Sequence, residues 1–402
     1  MINEKIPTKQ IVGLDVHSRL LEFSIWNDDV IDNFSMEDSK PTKIITGKIK
    51  DLEKILLKHT IQDAEIVMEA STNVFKLSRI IRNLGRKPIV VKSDTIKNFS
   101  PQYKITDKSD AANLARAWIV KIAQTVYIPT EHEQELRDII RGYRNAVQDC
   151  VMTSNRIWGF CSSHKLPLPK NFSLTKAQEL LVETKSQLSD LQYLLLSELV
   201  DSYANKKKSV ARYANTMLNV LTQDPRMQKL LQVLGVGPII AFAAVAFIGD
   251  ITRFKDSKKL CAYVGLVPSI NKSGEYESKN HRIARCGVPL LKSLLVQGAQ
   301  VCLTRGDLPL HRWARHLAAR KQNRNIAIVA LARKMLVYIW HILMGHQIIY
   351  KEEPQGLRKK ISDIGNIIGK EKRSLMGFNT LKEFTDNIIN NMELTIKSKA
   401  VP

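Results

Sequence analysis

Acidic residues are scarce in this sequence. There are 39 Asp and Glu against 61 Lys and Arg, which gives a formal net charge of +22 and a pI near 9.7. Such an excess self-repels, and a chain that keeps it is expected to meet a polyanionic partner. Cysteine is also sparse. Cys150, Cys161, Cys261, Cys286 and Cys302 are odd in number and unpatterned. That excludes a disulfide scaffold or a zinc spacing and fits reduced thiols in the cytoplasm. Long apolar runs are missing: the longest, PIIAFAAVAFIG (238–249), is too short to span a bilayer, so no membrane partner is expected. The start, MINEKIPTKQ, has no apolar core, and no signal peptide is expected. No internal repeat or low-complexity block interrupts the chain.

What is present reads as globular. The 402 residues exceed one ordinary core, so two or three domains are expected. Hydrophobic residues make up 44% and charged residues 25%, outside the disordered range. The positive charge is concentrated in a folded-looking stretch. Residues 251–350 hold 17 Lys/Arg and four Asp/Glu. This favours a nucleic-acid surface over a basic tether.

The first 120 or so residues alternate strand and helix patterns. IVGLDVH (11–17) and LLEFSIWN (20–27) read as a hairpin, AEIVMEAS (64–71) and KPIVVK (87–92) as further strands. Helices are predicted at GKIKDLEKILLKH (47–59), NVFKLSRIIRNLG (73–85) and ITDKSDAANLARAWIVK (105–121). The result is an α/β layered domain over 1–125. Residues 126–225 read as a long helical or coiled-coil region, broken by Pro167 and Pro169. Residues 226–350 read as mostly α-helical with a polar hairpin, and 351–402 as a charged, helical or mobile tail.

The few acids are oddly placed. Asp15 and Glu69 fall near the ends of two predicted strands, and Asp107 and Asp110 sit three apart at the head of a helix. Each has a bland reading as a turn or cap residue, with Thr106 or Asp107 capping the helix. Together they make a different pattern. In an RNase-H-like layout the first and fourth strands run side by side, and a following helix can add acids to theirs. Four oxygen donors suit Mg²⁺ or Mn²⁺. Two such ions can activate an attacking oxygen and stabilise a leaving one in phosphodiester transfer.

Several basic and glycine motifs point to nucleic acid. Arg137, Arg141 and Arg144 form a stripe on one helix face, continued by Arg156. Arg320, Lys321, Arg324, Arg333 and Lys334 form a second set. LGVGP (234–238) lies between apolar helices like a helix-hairpin-helix turn, where Gly235 and Gly237 would let backbone N–H groups meet a phosphate. A plain helix–helix turn explains it equally. Trp158, Trp313 and Trp340 read as core residues, not stacking platforms.

GLDVH, VMEAS and TDKSDAANLA resemble the N-terminal domain of the DEDD insertion-sequence transposases, relatives of the pilin-gene invertases and the bridge-RNA-guided recombinases. LLQVLGVGPIIAFAAVAFIGDITRFKDSKKLCAYVGLVPS, NKSGEYESKNHRIARCG and IAIVALARKMLVYIWHILMGHQIIY resemble that family's C-terminal domain. The resemblance covers roughly residues 10–350. It implies a RuvC-like, RNase H fold with the four acids at Asp15, Glu69, Asp107 and Asp110 holding Mg²⁺ or Mn²⁺. It also implies a serine nucleophile at Ser273 of the Ser273-Gly274 pair, linked to DNA as a 5′-phosphoserine. Lys272, Lys279, Arg282 and Arg285 supply the expected positive charge around it.

Glu275, Glu277 and the Gly287-Val288-Pro289 stretch depart from the family's glycine-rich, basic pattern. Ser269 and Ser278 are outside alternatives to Ser273. The resemblance further implies a transposase or site-specific recombinase acting on double-stranded donor and target DNA, a structured non-coding guide RNA, and assembly into dimers or tetramers. The implied location is the prokaryotic cytoplasm, at the nucleoid. Two rivals remain: a RuvC-like nuclease or junction resolvase, and a non-catalytic nucleic-acid-binding derivative.

Overall fold

The structure, a computed structural model, describes residues 7–17, 20–36, 38–71, 73–93, 107–167, 172–268, 272–273, 276–277, 283–305, 307–348 and 352–397. The chain divides into two compact units at Thr130/Glu131.

The N-terminal unit is a five-stranded mixed sheet. Its strands are β1 (Gln10–Val16), β2 (Leu20–Asn27), β3 (Lys43–Lys48), β4 (Glu65–Glu69) and β5 (Lys87–Val91). The spatial order is β3-β2-β1-β4-β5. β1–β2 and β2–β3 are antiparallel, β1–β4 and β4–β5 parallel. β1 and β4 therefore lie side by side, as the sequence suggests. Helix α1 (Asp28–Asp32) follows β2. Alternation along the strands splits the core in two. Val12, Leu14, Ile66 and Met68 pack with Leu52 and Leu56 of α2 (Leu52–His59) and Leu77 and Ile81 of α3 (Val74–Asn83). On the other face Ile11 and Val67 pack against Leu114 and Ala115 of α4 (Asp107–Ile119).

Gly13 is what brings α4 onto β1. A Cβ there would stand 1.8 Å from the Ala111 carbonyl oxygen and 3.1 Å from the Ala115 nitrogen. Backbone, not a flexible tip, blocks the space. Gly13→Ala is expected to lower stability by about 1–3 kcal/mol or more by pushing the helix off the strand. A urea melt of the purified variant checks this, and an unchanged midpoint would refute the packing argument.

The second unit is helical. α5 (Glu131–Ser163) and α7 (Asp190–Leu221) pack as a long antiparallel pair, with α6 (Leu174–Thr184) beside them at the far end. Val182, Leu191, Leu194 and Leu195 are exposed there. The near end enters a large core with α8 (Pro225–Leu230), α9 (Pro238–Ile248) and α10 (Ser257–Val264). The antiparallel two-residue strands β6 (Lys272–Ser273) and β7 (Tyr276–Glu277) follow. Then come α11 (Pro289–Thr304), α12 (Pro309–Lys321) and α13 (Arg324–Leu343). α13 is long and apolar enough to cross a membrane by length and composition, but half of it is buried in this core.

The final segment is no loose tail. α14 (Pro354–Ile368) leads through the short α15 (Lys370–Leu375), which buries no residue, to α16 (Leu381–Lys397), and α14 and α16 join the same core through Ile361, Ile364, Ile368, Phe384, Ile388 and Met392. Apolar spacings of three and four make α14 and α16 one-sided, which their high charge conceals in the sequence. Lys360 Nζ donates to the carbonyls of Leu231 (3.3 Å) and Val236 (3.2 Å) and pairs with Glu352, whose own N–H donates to Gln232 O (2.8 Å). Four cysteines are buried and Cys286 is exposed. Burial pushes the Cys302 thiol up to about 11.

Candidate active site and nucleic-acid surfaces

The register of β1 and β4 pairs Leu14 with Met68, so Asp15 and Glu69 are the next residues along two adjacent parallel strands. Gly13 faces α4, and alternation puts Asp15 on that same face. Glu65 also faces α4, because Trp118 Nε1 donates to its Oε2 at 2.6 Å. Glu69, four residues on, shares that face. This contact fixes the helix direction too. The C-terminal end of α4 lies over the start of β4, so its first turn lies towards the carboxyl ends of β1 and β4. Asp107 and Asp110 begin that turn. Gly-mediated contact, strand register and helix polarity thus carry Asp15, Glu69 and the first turn of α4, which holds Asp110, to one end of one face.

Local contacts of Asp15 are specific. Its Oδ1 accepts from Val16 N–H at 2.9 Å and its Oδ2 lies 2.9 Å from His17 Nε2, with the Asp15 side chain only 13% exposed. Glu69 and Asp110 are half-buried. The Asp107 side chain and Thr106 lie outside the described residues, so the proposed cap does too. Among the described residues no three acidic, histidine or cysteine side chains stand close enough to hold a metal ion. The donor chemistry nevertheless fits a hard divalent cation, since the acids supply only oxygen. A larger groove of about 820 Å³ opens by Gln10, Asn27 and His59, at the opposite end of the sheet.

In the second unit, Ser273 pairs with Tyr276 and Lys272 with Glu277 in the β6–β7 hairpin. The side chains of Lys272 and Ser273 lie outside the described residues, as do Ser269, Gly274, Ser278, Lys279 and Arg282. The base of the hairpin is described. Pro268 bridges Ile283, Ala284 N–H donates to Val267 O at 2.9 Å, and Lys292 Nζ donates to Ala284 O at 2.9 Å. Arg285 is exposed beside it.

Gly235 has φ +76°, and a Cβ there would meet Cys302 Sγ at 2.4 Å. Gly237 N-caps α9, with open space around its Cβ position. Both glycines line a groove of about 380 Å³ with Arg144, Tyr143 and Gln297. Two of the expected contacts from the sequence, the glycine turn and the Arg stripe, therefore meet there.

Arg137 does not join them, which corrects its reading as a nucleic-acid contact. It is 6% exposed, and its guanidinium donates to Ala246 O (2.9 Å) and Phe247 O (3.3 Å) at the end of α9. Burial pulls its pKa below the ordinary arginine value. Tyr263 OH and Arg253 Nε donate to the neighbouring Phe247 and Ile248 carbonyls, at 3.0 and 3.1 Å. These side chains satisfy the orphan carbonyls of an otherwise apolar helix. Arg141 and Arg156 are exposed as expected. Arg333 is half-buried beside Cys261, and Lys334 lies 4.5 Å over the Trp313 ring. Only Trp340 of the three expected core tryptophans is buried, donating to Phe254 O. Trp158 and Trp313 are 40% and 36% exposed.

Two family models match the chain. A DEDD transposase model, described as Transposase, matches residues 12–162, and the Transposase IS116/IS110/IS902 family model matches 227–315. The chain belongs to the DEDD insertion-sequence transposase family. The first match includes Asp15, Glu69, Asp107 and Asp110, and the second includes Gly235, Gly237 and Ser273. A "Probable family 20 transposase" of Pseudomonas aeruginosa is 25% identical over 69% of this chain and 83% of its own length. The "Transposase for insertion sequence element IS1111A" of Coxiella burnetii is 24% identical over 75% and 83%. The "Transposase for insertion sequence element IS1328" of Yersinia enterocolitica is 24% identical over 68% and 82%.

Three features of this transposase escaped the sequence reading. His17 pairs with Asp15, a contact that strand alternation could have suggested. Gly13 seats α4, and nothing in its neighbours marks it. Lys360 and Glu352 hold the loop before Gly237 from more than a hundred residues away.

Proposed function

We propose that this chain is the transposase of an insertion sequence, cutting and rejoining double-stranded DNA with a four-acid metal site and Ser273 as nucleophile. The observation that carries the reading is the convergence of Asp15, Glu69 and the first turn of α4 at the carboxyl ends of two adjacent parallel strands. The strand order and the mixed pairing support an RNase H/RuvC-like fold. A divalent cation, Mg²⁺ or Mn²⁺, held by Asp15, Glu69, Asp107 and Asp110 would polarise the phosphate and favour ionised oxygen.

The serine step balances without any external reagent. The Ser273 hydroxyl gives up its proton as its oxygen bonds to phosphorus. The P–O3′ bond breaks, and the 3′-oxygen takes up a proton and leaves. DNA is then held as a 5′-phosphoserine, and attack by another 3′-hydroxyl reverses the step to rejoin it. Lys272, Lys279, Arg282 and Arg285 supply positive charge to the DNA backbone.

The other contacts follow the same reading. Arg141, Arg144, Gly235, Gly237 and Lys334 form further nucleic-acid surfaces, with the glycine turn read as helix-hairpin-helix-like. A structured guide RNA is in keeping with the positive surplus. The exposed apolar Val182, Leu191, Leu194 and Leu195 support assembly into dimers or tetramers. Action on genomic DNA places the protein at the nucleoid.

The test is a denaturing gel after incubating the chain and its co-purifying RNA with element-flanking DNA and Mg²⁺. A protein–DNA adduct is expected from the wild type, and none from Ser273→Ala, Glu69→Gln or a chelated sample. Cleavage without an adduct, kept by Ser273→Ala and lost in Glu69→Gln, would favour a water-using nuclease. Binding without metal-dependent chemistry would favour the non-catalytic reading.

A further inference from the structure

We infer that the exposed face of α12, carrying Arg312, His316 and Arg320 beside Trp313, is a docking surface for the phosphate backbone of duplex DNA. The inference rests on the transposase reading and adds a surface that neither the glycine turn nor the serine hairpin includes. Arg312, His316 and Arg320 recur every four residues and are exposed. On a helix they and Trp313 fall within about 100° of arc, and the row runs about 12 Å. Duplex DNA offers roughly seven phosphate charges over that length.

Helix energetics argue that this charge is there for a partner. Residues 305–324 contain six Lys/Arg and one acid, Asp307. That acid is already paired with Arg315 at 2.6 Å. Among the described residues no acidic side chain pairs with Arg312, Arg320, Lys321 or Arg324. Arg320 and Lys321 sit at the C-terminal end of α12, where the helix dipole favours them. Arg312 does not. It lies near the first turn of α12, and Arg324 opens α13, so both oppose the dipole. A solvated face has no reason to keep both costs, whereas a polyanion cancels them.

Trp313 points to backbone rather than base contact. Lys334 from α13 already lies 4.5 Å over its ring. The indole thus steadies another cation at the same surface, and that ring face is not free to stack on a base.

The test measures binding of the full-length chain to a random-sequence duplex by fluorescence anisotropy across a salt series. The double variant Arg312→Ala/Arg320→Ala is expected to bind at least about tenfold more weakly at low salt. Its slope of log affinity against log salt is expected to be shallower by about two. Arg312→Lys/Arg320→Lys should keep the slope, which a folding defect would not do. Steep wild-type binding with an unchanged slope in the alanine variant would overturn this surface alone. A loss confined to single-stranded DNA or to structured RNA would overturn its assignment to duplex DNA. No salt-dependent duplex binding by the wild type would overturn the transposase reading as well.

Discussion

Asp15→Asn is expected to cut metal-dependent strand cleavage by about 10³-fold or more, roughly 4 kcal/mol of transition-state stabilisation, while leaving the fold intact. Asparagine keeps the shape and the oxygen that accepts from Val16 N–H. It removes the negative charge that a hard cation needs. Without metal, Asp15 and Glu69 are like charges on neighbouring strands, an unfavourable pair of a few tenths of a kcal/mol. The variant should therefore melt at the wild-type temperature or slightly above it. Its link to His17 is too solvent-exposed on the histidine side, at 44%, for its loss to cost much. Adding Mg²⁺ or Mn²⁺ should raise the wild-type melting temperature through linkage and leave the variant unmoved. A variant that cleaves normally, or that responds to the cation as the wild type does, would show that Asp15 is only a strand-end residue.

Arg137→Met is expected to have its effect on folding instead. Methionine fills the stem volume but donates nothing, so Ala246 O loses its guanidinium partner and Phe247 O keeps only Tyr263. A buried carbonyl left without a donor costs about 1–3 kcal/mol. Losing a cation at a partly buried helix C-terminus adds up to about 2. A total near 3 kcal/mol corresponds to a fall in melting temperature of about 6–12 °C for a unit of this size. Arg141→Met, one turn along, is the control. Its ion pair with Asp138 is exposed on both sides and worth little. That variant should melt like the wild type and lose nucleic-acid affinity. Equal stability of the two variants in a thermal melt would contradict the capping role of Arg137.

The contrast between those arginines shows where the sequence was informative. Spacing placed both on one helix, but helical periodicity cannot say which part of a stripe meets α9. That depends on a partner a hundred residues away. The placement of Asp15 and Glu69 at strand ends and of residues 107–110 at a helix start was legible for the opposite reason. Strand ends and a helix start are local features, whereas IVGLDV and EIVME are apolar on both faces, so it is the contact of Gly13 and Glu65 with α4 that shows which face the strand-end acids share. β3 was only faintly legible, since as an edge strand in a lysine-rich segment it is exposed along most of its length. Trp158 and Trp313 misled because aromatic composition suggests burial, whereas here they sit on exposed helix faces. The α14–α16 segment misled because dense surface charge hides a narrow apolar stripe.

The anchoring of Leu231, Gln232 and Val236 by Glu352 and Lys360 makes the glycine turn depend on residues translated more than a hundred positions later. The ribosome delivers the glycine turn well before it delivers the residues that hold its carbonyls. A polypeptide that stops near residue 350, through a frameshift or a broken message, would contain every motif of the family yet lack this brace and the apolar stripe of α14 and α16. Such a product would have an open core and unpaired carbonyls where the full chain has a closed one. Quality control by proteases would then remove incomplete copies of an enzyme whose errors are written into the genome.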